Sequence, residues 1–261
     1  MEVICYATGK NENPENSVIG IEHCLKVNSN WWIEMDVQIT KDKELVLFHD
    51  YDLIRTTGMN GIISNFNYSD LSELNIGCDF MLNIDRVNKI KESNIPLLEH
   101  VLKSYPEANF IFDIHSNDPS IVDLFIDLIE KVEFTPRFVV GSEYEKVISE
   151  MRKKRAFWTY AASAREAKSL IVSSWLQMDK YFPLHSDILC IPLKFGKVTA
   201  LTDRIIHHVQ SKGKKLWVWM YEGKTARTIQ NMNQYQELKS RGIDGVFTDS
   251  PELLFTEMKT E

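Results

Sequence analysis

The sequence lacks the features typical of membrane, secreted and nucleic-acid-binding proteins. No apolar run approaches the ~18 residues of a membrane span, and the first residues, MEVICYATGKNENPEN, contain neither the basic nor the apolar region of a secretory signal. Thirty lysine and arginine side chains face 37 aspartates and glutamates, a formal net charge of -7, which on average repels phosphate backbones and anionic membranes. We therefore expect a soluble, cytoplasmic protein that binds no nucleic acid and has no transmembrane segment.

Cysteine is also scarce: the chain has four, widely spaced and without a CxxC pair. A chain of 261 residues needs no covalent staples, so free thiols in a reducing compartment are favoured over disulfides. No linker, low-complexity tract or internal repeat interrupts the sequence, and 44% hydrophobic residues argue against disorder. We expect one domain over residues 1–261.

Short apolar runs alternate with helix-period segments from end to end, and each run is continuously apolar, as in strands buried on both faces. The eight strand candidates are EVICYA (2–7), WWIEMDVQ (31–38), NFIFDI (109–114), RFVVGS (137–142), AFWTYA (156–161), DILCIP (187–192), KLWVWM (215–220) and DGVFTD (244–249). Eight strand–helix units in about 250 residues predict an α/β fold, a (β/α)8 TIM barrel. A doubly wound sheet is the alternative, but no glycine-rich phosphate turn follows the first strand.

One connection is unusually long. About 70 residues separate the second strand from the third, and they include an extended segment, ELVLF (44–48), and the turn-rich TTGMNGIISN. We interpret residues 44–95 as a small insertion after the second strand, over the C-terminal mouth of the barrel, where loops of this fold carry function.

Carboxylates follow two of the predicted strands. Glu34 and Asp36 are two residues apart in the second strand, so both side chains point to the same side. Asp113 ends the third strand and adds a third carboxylate from a neighbouring strand. Such an oxygen set suits a hard divalent cation, Mg²⁺ or Ca²⁺. The alternative is a solvated strand end with unrelated acids.

Two histidines and two further residues are candidates for substrate chemistry. His49, just past LVLF, is placed as a general acid or base, with a loop-bridging role as the alternative. His115 faces the same way as Asp113 and is a candidate phosphate contact or proton carrier, or a loop hydrogen-bonding residue. Lys194 is a candidate phosphate clamp or a solvated lysine, and Trp219 a ligand wall or a core residue.

The residues in this order resemble the glycerophosphodiester phosphodiesterase family. The most specific stretch is the ExDvqxTkDxxxVxxHD pattern from Glu34 to Asp50. Further matching stretches are PENS (14–17), LIRTTGMNG (53–61), IPLLEHVL (95–102), FIFDI (110–114), LWVWM (216–220) and GIDGVFTDSP (242–251). The resemblance implies a (β/α)8 barrel and metal-dependent hydrolysis of a small-molecule phosphodiester to an alcohol and a phosphomonoester, as in lipid metabolism.

The resemblance also implies roles for individual positions. The metal positions of the family map to Glu34, Asp36 and Asp113, the last replacing a glutamate, and the loop histidine maps to His49. His115 stands where the family has a lysine. The His-Arg-Gly that usually ends the first strand is replaced by Tyr6-Ala7-Thr8-Gly9-Lys10 (6–10), so one proton-transfer histidine and a phosphate-binding arginine are missing.

Two functions follow as expectations. The first is a divergent phosphodiesterase acting on a glycerophosphodiester or a lysophospholipid-like substrate, in which His115 supplies the missing imidazole and Lys10 the missing charge. The second is a catalytically impaired pseudoenzyme or binding protein on the same barrel. Retention of the three carboxylates and of His49 favours the first, because unpaired buried carboxylates cost stability without a cation.

Overall fold

A computed structural model describes residues 1–78, 80, 93–195, 197–222, 225–227 and 232–259. Within these residues, eight parallel strands surround a central axis, and each is a run that the sequence analysis selected. They are β1 (Glu2–Cys5), β2 (Trp32–Ile39), β4 (Asn109–Ile114), β5 (Phe138–Ser142), β6 (Thr159–Tyr160), β7 (Ile188–Pro192), β10 (Lys215–Glu222) and β12 (Gly245–Thr248).

The eight strands close on themselves. β2, β4, β5 and β6 follow β1 in spatial order, and β12, β10 and β7 follow it in the other direction. A bridge between Ala161 and Ile188 joins β6 to β7, and the amide of Ala162 donates to the carbonyl of Ile188 at 2.8 Å. The predicted (β/α)8 barrel is thereby confirmed.

Helices follow the strands on the outside. Longer helices are α1 (Val18–Val27), α4 (Leu98–Ser104), α5 (Ile121–Lys131), α6 (Glu145–Lys154), α7 (Ala164–Trp175), α8 (Asp203–Ser211), α9 (Met232–Ser240) and α10 (Pro251–Lys259), and single-turn helices are α2 (Ile54–Thr57) and α3 (Tyr68–Leu71). Serine or threonine caps three of them at the N-terminus: Ser17, Ser163 and Thr202 each accept a backbone N–H of the first turn. Among the described residues, no helix is long and apolar enough to cross a membrane.

Strand side chains are buried on both faces because alternate residues point into two different cores. The larger core lies between the strands and the helices. The smaller core fills the barrel axis and consists of Ile4, Trp32, Ile111, Val139, Ala161, Ile188, Trp217 and Phe247. The two tryptophan rings of the smaller core lie 5.5 Å apart, so the barrel interior is packed rather than open, as is general for this fold.

The insertion after β2 builds a core of its own. The predicted extended segment is β3 (Leu45–Leu47), which pairs antiparallel with the end of β2. Its hydrophobic cluster consists of Val46, Phe48, Leu53, Ile63, Leu71, Ile76 and Ile95. Residues 79 and 81–92 of the predicted insertion lie outside the described residues.

Two short hairpins were not predicted. β8 (Lys194–Phe195) pairs antiparallel with β9 (Val198–Thr199) directly after β7, and β11 (Thr225–Arg227) pairs antiparallel with the end of β10. Both are short polar stretches in which local periodicity carries little signal. They extend the barrel beyond its mouth.

One glycine is required by the packing of the barrel axis. A Cβ at Gly245 would lie 2.3 Å from Cδ1 of Trp217, so we expect Gly245→Ala to lower the free energy of unfolding by about 1–3 kcal/mol through overpacking. Gly141→Ala is the matched control, because a Cβ there meets its nearest atom at an ordinary 3.4 Å. Urea denaturation of both variants checks this, and equal midpoints would contradict it.

Candidate active site

The three predicted carboxylates meet at the C-terminal mouth of the barrel. In the parallel pairing of β2 with β4, Asp36 lies opposite Asp113, and Glu34 stands one pleat earlier on the same side. Glu34 and Asp36 are buried, and Asp113 is half-buried. Their ligand oxygens all lie within 4.8 Å of one another, so the spacing inferred from the strand pattern is realised in space.

Two of the three acids are held by the loop that follows β1. A single 3₁₀ turn (Tyr6–Thr8) directs the amide of Ala7 at Oε2 of Glu34, with a distance of 2.6 Å. Asn16 makes a two-point contact with Asp36: its Nδ2 donates to Oδ2 at 2.7 Å, and its Oδ1 accepts the Asp36 amide at 2.9 Å. These contacts fix the orientation of both carboxylates before any ligand binds.

The electrostatics of the cluster fit a divalent cation. Burial, with repulsion from Asp36 and Asp113, raises the pKa of Glu34 well above its ordinary value. Burial also works to raise the pKa of Asp36, but hydrogen bonding and attraction from His115 outweigh it and hold that pKa below its ordinary value. A buried set of oxygen ligands with one acid destabilised by like charge is the environment that a hard cation relieves.

His115 lies directly on this cluster. Its Nε2 is 3.0 Å from Oδ1 of Asp36 and 3.4 Å from Oδ2 of Asp113. Burial opposes the charged imidazole, but the two carboxylates prevail and raise the pKa of His115 to about 12. His115 is therefore a cation across the neutral range, and its positive charge lies between two of the candidate metal ligands.

His49 approaches the cluster from the insertion. Its ring centroid lies 4.6 Å from that of His115, and its Nδ1 lies 2.7 Å from Oδ1 of Asp50. Hydrogen bonding to Asp50 raises the pKa of His49, although burial opposes the shift. An aspartate at Nδ1 makes that nitrogen the donor and leaves Nε2 as the nitrogen available for proton transfer.

A chain of ion pairs fixes the orienting aspartate. Arg55 donates from Nε to Oδ2 of Asp50 at 2.6 Å and from a terminal nitrogen to Oε2 of Glu15 at 2.9 Å. Burial works to raise the pKa of Asp50, but its bonds from His49 and Arg55 hold it well below its ordinary value. The ion pair between Arg55 and Glu15 therefore connects the insertion to the loop after β1 at the mouth of the site.

A cavity of about 380 Å³ opens beside the carboxylates. Tyr6, Trp219 and Phe247 line one part of it, and the predicted ligand wall at Trp219 does face the cavity. Lys10 is not among the residues that line the cavity, but its Nζ lies 4.4 Å from the centroid of the Tyr6 ring, which does line it. Lys194, the candidate phosphate clamp, is exposed on the β8–β9 hairpin and is not among the residues that line the cavity.

Several residues of the site were not found from the sequence. Asn16 belongs to the PENS stretch (14–17), one of the stretches that carried the family resemblance. The sequence therefore drew attention to this stretch but did not predict a function for Asn16. Tyr6 is the first residue of the stretch that replaces the His-Arg-Gly, and burial together with repulsion from Glu34 raises its pKa well above the ordinary value. Glu143 and Lys168 also line the cavity, and no local pattern in the sequence had indicated either of them.

Comparison with known proteins identifies the family to which the chain belongs. The model of the glycerophosphoryl diester phosphodiesterase family matches residues 9–253, and the chain belongs to this family. A lysophospholipase D of Rattus norvegicus is 24% identical over 95% of this chain and 83% of its own length. A putative glycerophosphodiester phosphodiesterase of Bacillus subtilis is 24% identical over 100% of this chain and 99% of its own length.

Solved structures give the same fold. A glycerophosphoryl diester phosphodiesterase domain from Mycobacterium tuberculosis superposes with a TM-score of 0.76 at 16% identity, covering 100% of this chain and 99% of the other. A phosphodiesterase from Oleispira antarctica, in complex with the product sn-glycerol-3-phosphate, superposes with a TM-score of 0.75 at 18% identity, covering 99% and 97%.

Because burial and neighbouring acids disfavour the ionised form of Glu34, the stability of the folded protein should depend on pH and on a bound cation. Because its pKa is raised in the folded state, Glu34 costs no stability below its unfolded pKa; the cost grows as pH rises above that value and is complete once pH exceeds the folded pKa. In the presence of a chelator, Glu34→Gln should therefore have a higher melting temperature than wild type at mildly alkaline pH. This difference in melting temperature should become smaller as pH falls. Millimolar Mg²⁺ or Ca²⁺ should raise the melting temperature of wild type above that of Glu34→Gln.

Glu143→Gln is the matched control for this experiment. Glu143 also lines the cavity but does not belong to the carboxylate cluster. In chelator, Glu143→Gln should have the same melting temperature as wild type, and the cation should raise that temperature. If neither protein responds to cation and Glu34→Gln melts with wild type at every pH, the cluster is not a metal site.

Proposed function

We propose that the protein is a metal-dependent hydrolase that cleaves a glycerophosphodiester or a lysophospholipid-like substrate into an alcohol and a phosphomonoester. The observation that carries this proposal is the pairing of a buried carboxylate cluster with an oriented histidine. His49, held by Asp50, faces His115 at 4.6 Å beside the oxygens of Asp36. Membership of a phosphodiesterase family supports the reaction class.

Glu34, Asp36 and Asp113 would hold the divalent cation, either Mg²⁺ or Ca²⁺. Their chemistry fits, since all three offer hard oxygen ligands in a cluster of mutually repelling charge. When bound, such a cation supplies Lewis-acid stabilisation of phosphate charge. The contacts from Ala7 and Asn16 orient the two buried acids for this role.

His49 is the proton-transfer group in this proposal. With Nδ1 donating to Asp50, its Nε2 takes a proton from the attacking water, or from a substrate hydroxyl if the reaction passes through a cyclic phosphate. The Asp50 carboxylate stabilises the imidazolium that forms, and Arg55 keeps that carboxylate ionised and in place. The arrangement follows the general logic of an acid–base histidine oriented by a third group.

His115 serves as a fixed positive charge for the phosphate. The carboxylates of Asp113 and Asp36 raise its pKa, which favours the charged imidazolium as a partner for an anion over a carrier of protons. This favours the phosphate-contact role for His115 over the replacement acid or base. Lys10, whose Nζ contacts the ring of the cavity-lining Tyr6, would add a second positive charge.

One observation favours the alternative, a binding protein without turnover. Tyr6 stands first in the stretch that replaces the family His-Arg-Gly, and its phenol is held protonated by burial and by the neighbouring acids. A phenol with a raised pKa cannot act as a base near neutrality. In the alternative, the site would bind cation and phosphodiester but not hydrolyse it.

Replacing His49 tests the acid–base role. We expect His49→Ala to lower kcat about 10²-fold or more toward glycerophosphocholine, with little change in melting temperature. Asp50→Asn should lower the pKa of His49, because it removes the carboxylate hydrogen bond that raises it, and should move the corresponding limb of the pH–rate profile to lower pH. His207→Ala, at an exposed histidine of α8, is the matched control; unchanged kcat in His49→Ala would remove His49 from the mechanism.

Two substitutions at His115 separate charge from proton transfer. Since its pKa is about 12, His115→Lys keeps the positive charge and should retain kcat within about tenfold with an unchanged pH profile, whereas His115→Ala should lose about 10²-fold or more. Steady-state kinetics across pH decide between the roles. If His115→Lys loses activity and one limb of the pH–rate profile disappears, His115 acts as an acid or base. No turnover in wild type that still binds cation would establish the binding protein.

A further inference from the structure

The two histidines at the barrel mouth form a second group of metal-ligating side chains with Asp36. One nitrogen of His49, one nitrogen of His115 and one oxygen of Asp36 lie within 4.8 Å of one another. This group, which we call the histidine cluster, shares only Asp36 with the three carboxylates described above. Imidazole nitrogen suits transition metals such as Zn²⁺, whereas an all-oxygen set suits Mg²⁺ or Ca²⁺. The two clusters therefore differ in the kind of ion that each would select.

The hydrogen bonds around His49 match those found around metal-bound histidines. Its Nδ1 lies 2.7 Å from Oδ1 of Asp50, which leaves Nε2 as the nitrogen that can ligate. Arg55 donates to Oδ2 of the same carboxylate at 2.6 Å and holds it in place. Histidines bound to metals almost always donate their second ring N–H to a carboxylate, a backbone carbonyl or water, and this contact orients the ring. His49 has this outer contact before any ion binds.

Asp36 is oriented in a similar way. Asn16 donates to its Oδ2 at 2.7 Å and accepts its backbone amide at 2.9 Å. The other oxygen, Oδ1, lies 3.0 Å from Nε2 of His115. One oxygen of this buried carboxylate is thus used to hold the side chain, and the other faces an imidazole nitrogen.

The spacing of the three ligands fits a small ion. A tetrahedral Zn²⁺ with bonds of about 2.0–2.1 Å places its ligand atoms about 3.4 Å apart, close to the 3.0 Å between Asp36 and His115. The upper limit of 4.8 Å for the remaining separations requires His49 to move by at most about 1.5 Å. His49 lies on the insertion with its side chain 39% exposed, so the surrounding protein leaves room for this movement.

We infer that Asp36, His49 and His115 form a binding site for a divalent transition-metal cation, with Zn²⁺ as the representative ion. The ion would take the place of the imidazolium charge that lies between Asp36 and Asp113. A proton-transfer histidine needs only its contact with Asp50, whereas a shared ion also accounts for the second imidazole ring at 4.6 Å. Because ligation occupies Nε2 of His49, this ion is additional to the hard cation of the proposed reaction.

Calorimetric titration of metal-free protein with Zn²⁺ tests the site, whether or not the protein hydrolyses a substrate. Asp50→Ala, which removes only an outer contact, should weaken Zn²⁺ binding about 10–100-fold. His49→Ala and His115→Lys each remove a ligand and should weaken it by at least about 100-fold. The lysine keeps a positive charge between the acids, but its ammonium group has no electron pair to donate.

Glu34→Gln is the matched control, because it removes a ligand of the hard cation only. It should bind Zn²⁺ as wild type does while losing the thermal stabilisation by Mg²⁺, and His49→Ala should show the reverse. His23→Ala controls for Zn²⁺ at the surface, since Nε2 of His23 lies 2.9 Å from Glu12 and 3.8 Å from Glu252. This variant should keep the wild-type affinity for Zn²⁺.

Equal Zn²⁺ affinity in wild type, His49→Ala and His115→Lys would overturn the inference. Loss of binding in Glu34→Gln with retention in both histidine variants would assign Zn²⁺ to the carboxylates instead, and loss in His23→Ala would make it a surface ion. X-ray absorption at the zinc edge of the wild-type complex gives an answer even if a histidine variant fails to fold. Scattering from two imidazole rings is expected, and an all-oxygen shell would overturn the site.

Discussion

Mutual repulsion among three carboxylates at one barrel mouth is the constraint on which the rest of the site depends. Glu34, Asp36 and Asp113 present oxygens within 4.8 Å of one another, and two of the three are buried. Charges so placed are tolerated only with hydrogen bonds, a counter-charge or a cation. The amide of Ala7 and the two-point contact of Asn16 provide the first, and His115 provides the second.

The same constraint explains the unusual backbone of the loop after β1. Ala7, Thr8 and Asn16 have positive φ values of 43°, 59° and 55°, a region that costs energy for residues with a side chain. The strain at Ala7 accompanies a backbone N–H aimed at Glu34, and the strain at Asn16 accompanies an amide aimed at Asp36. Local strain is thus coupled to the placement of the acids, as is common at functional sites.

The wall of the cavity has an acidic part and an apolar part, which would contact different groups of a substrate. Glu34 and Asp113 line one side of it, and alanines and aromatic rings line much of the rest. Under the proposed function, the phosphate would lie at the acids and the less polar part of the substrate against the apolar wall. The strand ends provide both acids, whereas the first turns of α7 provide several of the apolar residues.

The sequence by itself determined the barrel and the acids. Strand residues alternate with period two, and that local rule alone puts Glu34 and Asp36 on one side and lets Asp113 join them at the next strand end. The eight runs of apolar residues likewise gave the strand count, because burial on both faces leaves a continuous pattern. Even the unusual length of the second connection indicated the insertion that brings His49 to the mouth.

Only the tertiary structure decided how the site is completed. Arg55 with Glu15, His49 with His115 and Asn16 with Asp36 are contacts between side chains far apart in sequence, and they depend on loop conformations that no local period encodes. The position of Lys194 was likewise not encoded locally: it lies exposed on the β8–β9 hairpin and is not among the residues that line the cavity, and its predicted contact with phosphate stays a prediction. The exposed apolar side chains of Val172 and Leu176 also could not be distinguished from core residues in the sequence, since exposed and buried apolar residues look alike until their neighbours are known.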